Sequence, residues 1–231
     1  MLKLSIVIPA YNEEATIIQI LELVNAQEIE NTEFEVLVID DGSQDRTAEL
    51  LEANPSLYTK LIRLPQNGGK GAAVKAGLEQ ASGDYILFQD ADMEYSPTEY
   101  AKLLKQVFDF NADLVMSSRF AAPSVTRVCY FWNKVGNRLI TLVFNVLNNT
   151  TFTDVYSCFL LYRRSLVTPE QLITNGWEQQ AEILSLAVKK AESIYEVPIS
   201  YHGRKKEEGK KIRAYHVFAV IYTMITRRFF Y

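Results

Sequence analysis

Four times in its first ninety residues, this chain alternates a short apolar run with a helix-like stretch. Leu4 to Ile8 is a β-branched run stopped by Pro9, and the apolar spacing from about Ala15 to Ala26 predicts a helix. Phe34 to Ile39 is the second strand, after which Asp45 and Thr47 open a helix to about Ala53. Leu61 to Leu64 is the third, followed by an Ala-rich helix to about Ala81, and Tyr85 to Phe88 is the fourth. Such alternation predicts an α/β fold around a parallel sheet with right-handed crossovers. Ser96 and Pro97 then mark a helix start, and Leu114 to Ser117 is a fifth strand.

The polar residues gather where these strands stop. Asn12 and Glu13 follow the first, Asp40 and Asp41 end the second, and Asn67 to Lys70 follow the third. Asp90, Asp92 and Glu94 follow the fourth. In open α/β folds the carboxyl ends of the strands are where ligands bind. Two or three converging carboxylates repel one another unless a cation or protons lie between them, and oxygen ligands suit Mg²⁺ or Mn²⁺. The same three acids also fit a capping or turn cluster. Consecutive side chains on an extended segment diverge, so Asp40 and Asp41 are expected to have different jobs, one structural and one facing ligand. Gly68, Gly69 and Gly71 around Lys70 match no standard nucleotide-binding fingerprint. They fit either a turn that starts a helix or close passage of the backbone and Lys70 beside a ligand.

At 231 residues the chain is long enough for one α/β domain with a small appended region. Its net charge of -4 gives no global positive field for nucleic acid. Cys129 and Cys158 lack the spacing of a zinc site or disulfide framework, which sets a reducing, cytoplasmic location as the expectation. Cys158 lies among apolar residues and is expected to be inert core. The opening apolar stretch is too short for a signal peptide, and no segment reaches the length of a spanning helix.

Beyond Phe120 the texture changes. Phe131 to Leu147 and Trp177 to Lys190 are expected helices, and Asp154 to Tyr162 an expected strand. Pro198 would confine the strand at Glu196 to Tyr201 to a sheet edge. Gly203 to Arg213 is a basic, glycine-containing loop that a solvated flexible segment would also explain. Tyr215 to Tyr231 carries a broad apolar stripe with Arg227 and Arg228 near its close. It fits an amphipathic helix lying on a membrane surface, its arginines meeting anionic headgroups, or a helix packed on its own domain.

The chain resembles the family 2 glycosyltransferases of the GT-A fold, and more narrowly the dolichyl-phosphate mannose synthases and related polyprenyl-phosphate hexose synthases. The resemblance rests on S-I-V-I-P-A-Y-N-E-E at Ser5, V-I-D-D-G-S-Q-D-R-T at Val38, N-G-G-K-G at Asn67 and A-S-G-D-Y-I-L-F-Q-D-A-D at Ala81. It continues through S-S-R-F at Ser117, G-N-R-L at Gly136, T-D-V-Y-S-C-F at Thr153, E-V-P-I-S-Y at Glu196 and G-R-K-K-E-E-G-K-K-I at Gly203. It implies a single GT-A (Rossmann-like) three-layer sandwich with a mostly parallel sheet. Residues 1–120 would bind nucleotide-sugar, 121–214 would form the acceptor side, and 215–231 would be a C-terminal amphipathic helix.

The same likeness implies roles for residues. Pro9, Ala10, Tyr11, Asn12, Glu13, Asp41 and Lys70 would hold the nucleotide-sugar together with Asp90, Ala91 and Asp92. Asp90, Asp92 and Glu94 would bind Mg²⁺ or Mn²⁺. Arg119, Arg138, Arg204 and Lys211 match basic residues that receive donor and acceptor phosphates, with Asp90, Asp92 and Arg119 carrying catalysis. The chain departs from the pattern at Glu94, where glutamine is common, and at Leu160, where relatives commonly carry a cation. The implied activity is inverting transfer of mannose or glucose from a GDP- or UDP-hexose to a polyprenyl or dolichyl phosphate. The implied setting is the cytoplasmic face of a membrane, where a membrane-protein partner or a homo-oligomer is compatible. A sugar or protein acceptor, or a non-catalytic nucleotide-sugar-binding homologue, is the alternative.

Overall fold

A computed structural model describes residues 1–121, 131–201 and 216–230 of the chain. The elements are β1 (Leu2–Ala10), α1 (Ile17–Asn25), β2 (Thr32–Asp40), α2 (Thr47–Ala53), β3 (Lys60–Arg63), α3 (Lys70–Gln80) and β4 (Tyr85–Phe88). They continue with α4 (Tyr100–Phe110), β5 (Leu114–Ser118), α5 (Phe131–Asn148), β6 (Leu160–Arg163), α6 (Gln179–Val188), β7 (Ile194–Pro198) and α7 (His216–Phe229).

One seven-stranded sheet runs in the order β3-β2-β1-β4-β6-β5-β7. Strands β3, β2, β1 and β4 are mutually parallel, as the alternating sequence predicts. β6 runs antiparallel to both β4 and β5, so the sheet is mixed. β7 pairs β5 in parallel and closes the sheet as an edge strand, which is where Pro198 belongs. The chain builds outward from β1 to β3, then returns to place β4 on the other side of β1. That reversal opens a crevice at the carboxyl ends of β1 and β4.

Alternate residues of the central strands face opposite layers. Leu4, Ile6 and Ile8 of β1 pack with Ile20, Leu21 and Val24 of α1 and Leu103 and Val107 of α4. Val7 of β1, with Leu37 and Ile39 of β2, packs instead with Ala73 and Val74 of α3 and with α5, α6 and α7. All four residues of β4 are buried, as a strand covered on both faces must be. The result is a three-layer α/β/α sandwich.

The second half departs from the expected strand at Asp154 to Tyr162, since only Leu160–Arg163 joins the sheet. Residues before it are held by side chains instead: Ser157 Oγ lies 2.5 Å from Ser117 Oγ, and Asp154 is drawn into an ion pair. Leu160 is fully buried in the core, so in this chain the position packs the sheet. α5 and α7 pack together, each with an inner buried face. Their outer faces expose Trp132, Leu139, Leu142 and Val146 on α5, and Phe218, Tyr222, Ile225 and Phe229 on α7.

Candidate active site

A cleft of about 420 Å³ opens at the carboxyl ends of β1, β2 and β4. Pro9, Ala10, Tyr11 and Glu13 form one wall, Asp41 and Lys70 line it from β2 and α3, and Asp90, Ala91, Asp92 and Glu94 extend from β4. Arg119 enters from the end of β5. The strand ends singled out by the sequence therefore converge on one cavity.

The loop after β1 is built to hold its shape. Asn12 has φ of 52°, which Asn tolerates better than most residues, and its Oδ1 accepts the Gln44 N–H at 2.8 Å. Asn12 is exposed and does not line the cleft, so it orders the wall. Thr16 Oγ1 donates to the Ala91 carbonyl at 2.9 Å, tying the start of α1 to the acidic turn. Beneath that turn lies Gln89, fully buried. Its Nε2 donates to the Asp90 and Tyr95 carbonyls at 2.9 and 3.2 Å, and its Oε1 accepts the Tyr100 hydroxyl at 2.7 Å.

Asp40 and Asp41 divide their work as divergent neighbours should. Asp40 accepts the Ser43 N–H at 3.0 Å and pairs with Arg63, whereas Asp41 lines the cleft. The Asp41 carboxylate accepts the N–H groups of Gly68 and Gly69 at 2.8 and 3.0 Å. Burial raises its pKa against the lowering effect of those two bonds. Beyond Lys70, the N–H groups of Gly71 and Ala72 donate to the Asn175 carbonyl at 2.8 and 3.3 Å. Four donors of this turn thus meet protein acceptors, and its glycines serve close backbone approach. Gly69 has φ of 91°, and a Cβ there would stand 2.5 Å from the Asn175 oxygen.

Lys70 reaches into the cleft and pairs with Asp90 at 2.5 Å. Burial works against its ammonium, but the Asp90 charge prevails and raises its pKa. Asp92 Oδ1 accepts the Glu94 N–H at 2.9 Å, and a Glu94 oxygen accepts the Tyr201 hydroxyl at 2.8 Å. Among the described residues, no three His, Cys, Asp or Glu side chains form a group that could hold a metal by themselves. The trio of Asp90, Asp92 and Glu94 is therefore not a self-sufficient cage.

Arg119 is bidentate to the fully buried Asp154, at 2.7 and 2.8 Å, and donates to the Tyr156 carbonyl at 3.0 Å. Its guanidinium lies 5.2 Å from the Tyr201 ring centre. Arg138 is exposed on α5 and does not line the cleft. Arg204 and Lys211 lie outside the described residues, as does the rest of the basic loop.

Sequence reasoning passed over the far wall, made by Tyr156, Trp177, Gln179 and Gln180 with Tyr95 and Tyr201. The polar run N-G-W-E-Q-Q at Asn175 to Gln180 was the available signal, since a helix that buries Gln179 and Gln180 calls for a reason. Cys158 is buried as expected but at the cleft floor. Burial, reinforced by the Asp90 charge, pushes its thiol well up and keeps it protonated.

The family model described as glycosyl transferase family 2 matches residues 5–168, a span that contains Asp41, Asp90, Asp92 and Arg119. The chain belongs to glycosyl transferase family 2. Among curated proteins, it is 32% identical over 205 residues to the low-salt glycan biosynthesis hexosyltransferase Agl6 of Haloferax volcanii, covering 88% of this chain and 49% of that protein. It is 32% identical over 228 residues to the undecaprenyl-phosphate 4-deoxy-4-formamido-L-arabinose transferase of Pseudomonas aeruginosa, covering 96% of this chain and 64% of that one. The chain thus spans between about half and two thirds of the length of these two curated relatives.

Glucosyl-3-phosphoglycerate synthase of Mycobacterium tuberculosis, solved with Mn²⁺, UDP-glucose and phosphoglyceric acid, matches with a TM-score of 0.72 at 21% identity. That match covers 98% of this chain and 80% of the synthase. The fold of this family 2 member is therefore GT-A, with a mixed, mainly parallel sheet.

Proposed function

We propose that the cleft binds a nucleotide-sugar with a divalent cation, and that the protein transfers the hexose to an acceptor entering beside Arg119. The observation that carries this reading is the placement of Asp90 and Asp92 directly after the central strand, facing the wall formed by Pro9, Tyr11, Glu13 and Asp41. Pro9, Ala10, Tyr11, Glu13 and Asp41 would hold base and ribose. Asp90 and Asp92 offer only hard oxygen donors, which fits Mg²⁺ or Mn²⁺. Such ions take one or two carboxylates and complete their shell with water and substrate phosphates. When bound, the cation would offset charge on the departing nucleoside diphosphate.

The residues of the chain would supply positioning and electrostatics. Gln89 fixes the acidic turn from below, and Thr16 fixes it from the side. Lys70 places a cation beside Asp90, while Arg119, neutralised by Asp154, presents a fixed guanidinium to the cleft. An acceptor that is already anionic would need no general base. Direct displacement at the anomeric carbon would invert its configuration.

An acceptor outside the lipid class, a small phosphorylated or sugar molecule, is supported by the synthase whose fold this chain shares over almost its whole length. A polyprenyl phosphate is the second reading. It is supported by the printed activity of the Pseudomonas relative and by the exposed apolar faces of α5 and α7. The test is incubation with Mn²⁺, UDP- and GDP-hexoses, and either phosphoglycerate or a short polyprenyl phosphate, with mass analysis of both phases. A new glycosylated product in one phase supports the reading and selects the acceptor class. Donor left intact with every acceptor contradicts transfer to these classes.

A further inference from the structure

Residues 171–176 lead into α6 and form a cleft wall through Gly176, followed by Trp177. Side-chain packing does little to anchor this segment, since Leu172 is buried while Ile173 and Asn175 are exposed. Polar bonds hold it instead. Glu182 on α6, fully buried, accepts the N–H groups of Ile173 and Thr174 at 3.2 and 3.0 Å and the Thr174 hydroxyl at 2.5 Å. Arg227 on α7 is also buried. It pairs with the same carboxylate and donates to the Gln171 carbonyl at 3.0 Å. The arginine is therefore turned into the fold, as the self-packed alternative for this helix has it.

On its other side the segment rests on α3. The Asn175 carbonyl accepts from Gly71 and Ala72, and a Cβ at Gly71 would stand 2.6 Å from the Thr174 oxygen. That helix begins with Lys70, whose Nζ reaches Asp90 at 2.5 Å and lies 5.5 Å from the Trp177 ring centre. A connected set of contacts thus runs from Arg227 to the acidic turn.

A buried ion pair is weak evidence for stability, because well-packed apolar residues of similar volume often serve as well. Neither Arg227 nor Glu182 lines the cleft, yet their bonds converge on the segment that does. We infer that Arg227 is a positioning residue for the donor site. Acting through Glu182, it seats residues 171–176 against α3 and so sets where Trp177 and Lys70 stand beside Asp90. The inference rests on reading the cleft as a nucleotide-sugar site.

The test uses the full chain carrying Trp132→Phe, which leaves Trp177 as the remaining one of two tryptophans. Arg227→Lys keeps a charge near Glu182 but loses the planar fork that reaches both Glu182 and Gln171. The expected result is a cooperative melt with Trp177 emission shifted to the red and more open to acrylamide. UDP or GDP affinity in Mn²⁺ should fall about tenfold, the lower end of what is lost when a partner that orients ligand-holding residues is changed. A purely structural pair would lower the melting temperature while leaving emission, quenching and nucleotide affinity as in the parent, and that result overturns the inference. If Arg227→Lys fails to fold, Glu182→Gln combined with Arg227→Met leaves no unpaired ion and takes the same measurements. Loss of folding in both assigns the pair to stability alone and also overturns it. If the parent binds neither nucleotide, the donor reading fails, while Trp177 emission and quenching still decide whether Arg227 sets the wall.

Discussion

At the scale of single residues, two buried carboxylates show how this chain stabilises charge. Asp154 is fully buried and gives both oxygens to Arg119, with Asn137 of α5 donating to one of them at 3.1 Å. Asp154→Ala would leave a largely buried guanidinium without its partner, at a cost of about 3–5 kcal/mol. Urea unfolding of the variant measures it, and Asp154→Asn, which keeps one acceptor oxygen, should cost less. Glu35 is the second case. Burial alone would raise its carboxyl, but bonds from Ser5 and Ser82, with Lys3 beside it, prevail and bring it from 4.5 down to about 2. A group depressed in the folded state contributes stability above its unfolded pKa and loses it as pH falls through the folded value. Glu35 should therefore contribute roughly 3 kcal/mol at neutral pH, lost between about pH 4.5 and 2. Unfolding free energies measured down this range should flatten in Glu35→Gln if that assignment is right.

At the scale of elements, the amino-terminal half was legible because the first three strands stop at Pro or Asp and α1 and α4 repeat an apolar face. The chemistry at strand ends was legible for the same reason: Asp41, Asp90 and Asp92 needed only the sheet to bring them together. The wall at Tyr156 and Trp177 was less so: beyond the polar run at Asn175 to Gln180, it depends on bonds that Glu182 accepts from Ile173 and that Gln180 donates to Ser157, partners set by the fold. Nor did Asp154 to Tyr162 reveal how much of it pairs, since side chains compete there with the ladder.

For the carboxy-terminal helix the structure bears out one of the two alternatives raised by the sequence, packing on its own domain. α7 packs on its own domain through Val220, Met224 and Arg227, and it exposes Phe218, Tyr222 and Phe229 outward beside α5. Lys134 and Arg138 on α5 and Arg228 on α7 are exposed, and neither helix carries an acid. We propose that these outer faces seat on an anionic bilayer. Removing α7 would strip core residues, so the informative changes are Phe218→Ser with Phe229→Ser. Both residues are exposed, and surface changes of this kind normally move stability by no more than about 0.5 kcal/mol. Co-sedimentation with anionic liposomes at low salt should fall in that variant. An unchanged supernatant fraction would remove these helices from any role at a membrane.

At the scale of the whole molecule, a GT-A sandwich of family 2 brings four separate strand ends to one crevice, and function is read from what meets there. The acidic turn is fixed from three directions, by Gln89 below, Thr16 from α1 and Lys70 from α3. That convergence predicts a preformed donor site in which Asp92 matters for ligand and little for folding. The direct test is calorimetric titration of the full chain and of Asp92→Ala with UDP and with GDP, in Mn²⁺ and after chelation, with thermal melts alongside. The account predicts that one nucleotide binds the parent in Mn²⁺. Chelation or Asp92→Ala should weaken that binding by about tenfold or more, as loss of a metal clamp on phosphate would, while the melts barely change. Binding of the same strength without Mn²⁺ and in Asp92→Ala, or no binding of either nucleotide to the parent, would contradict it.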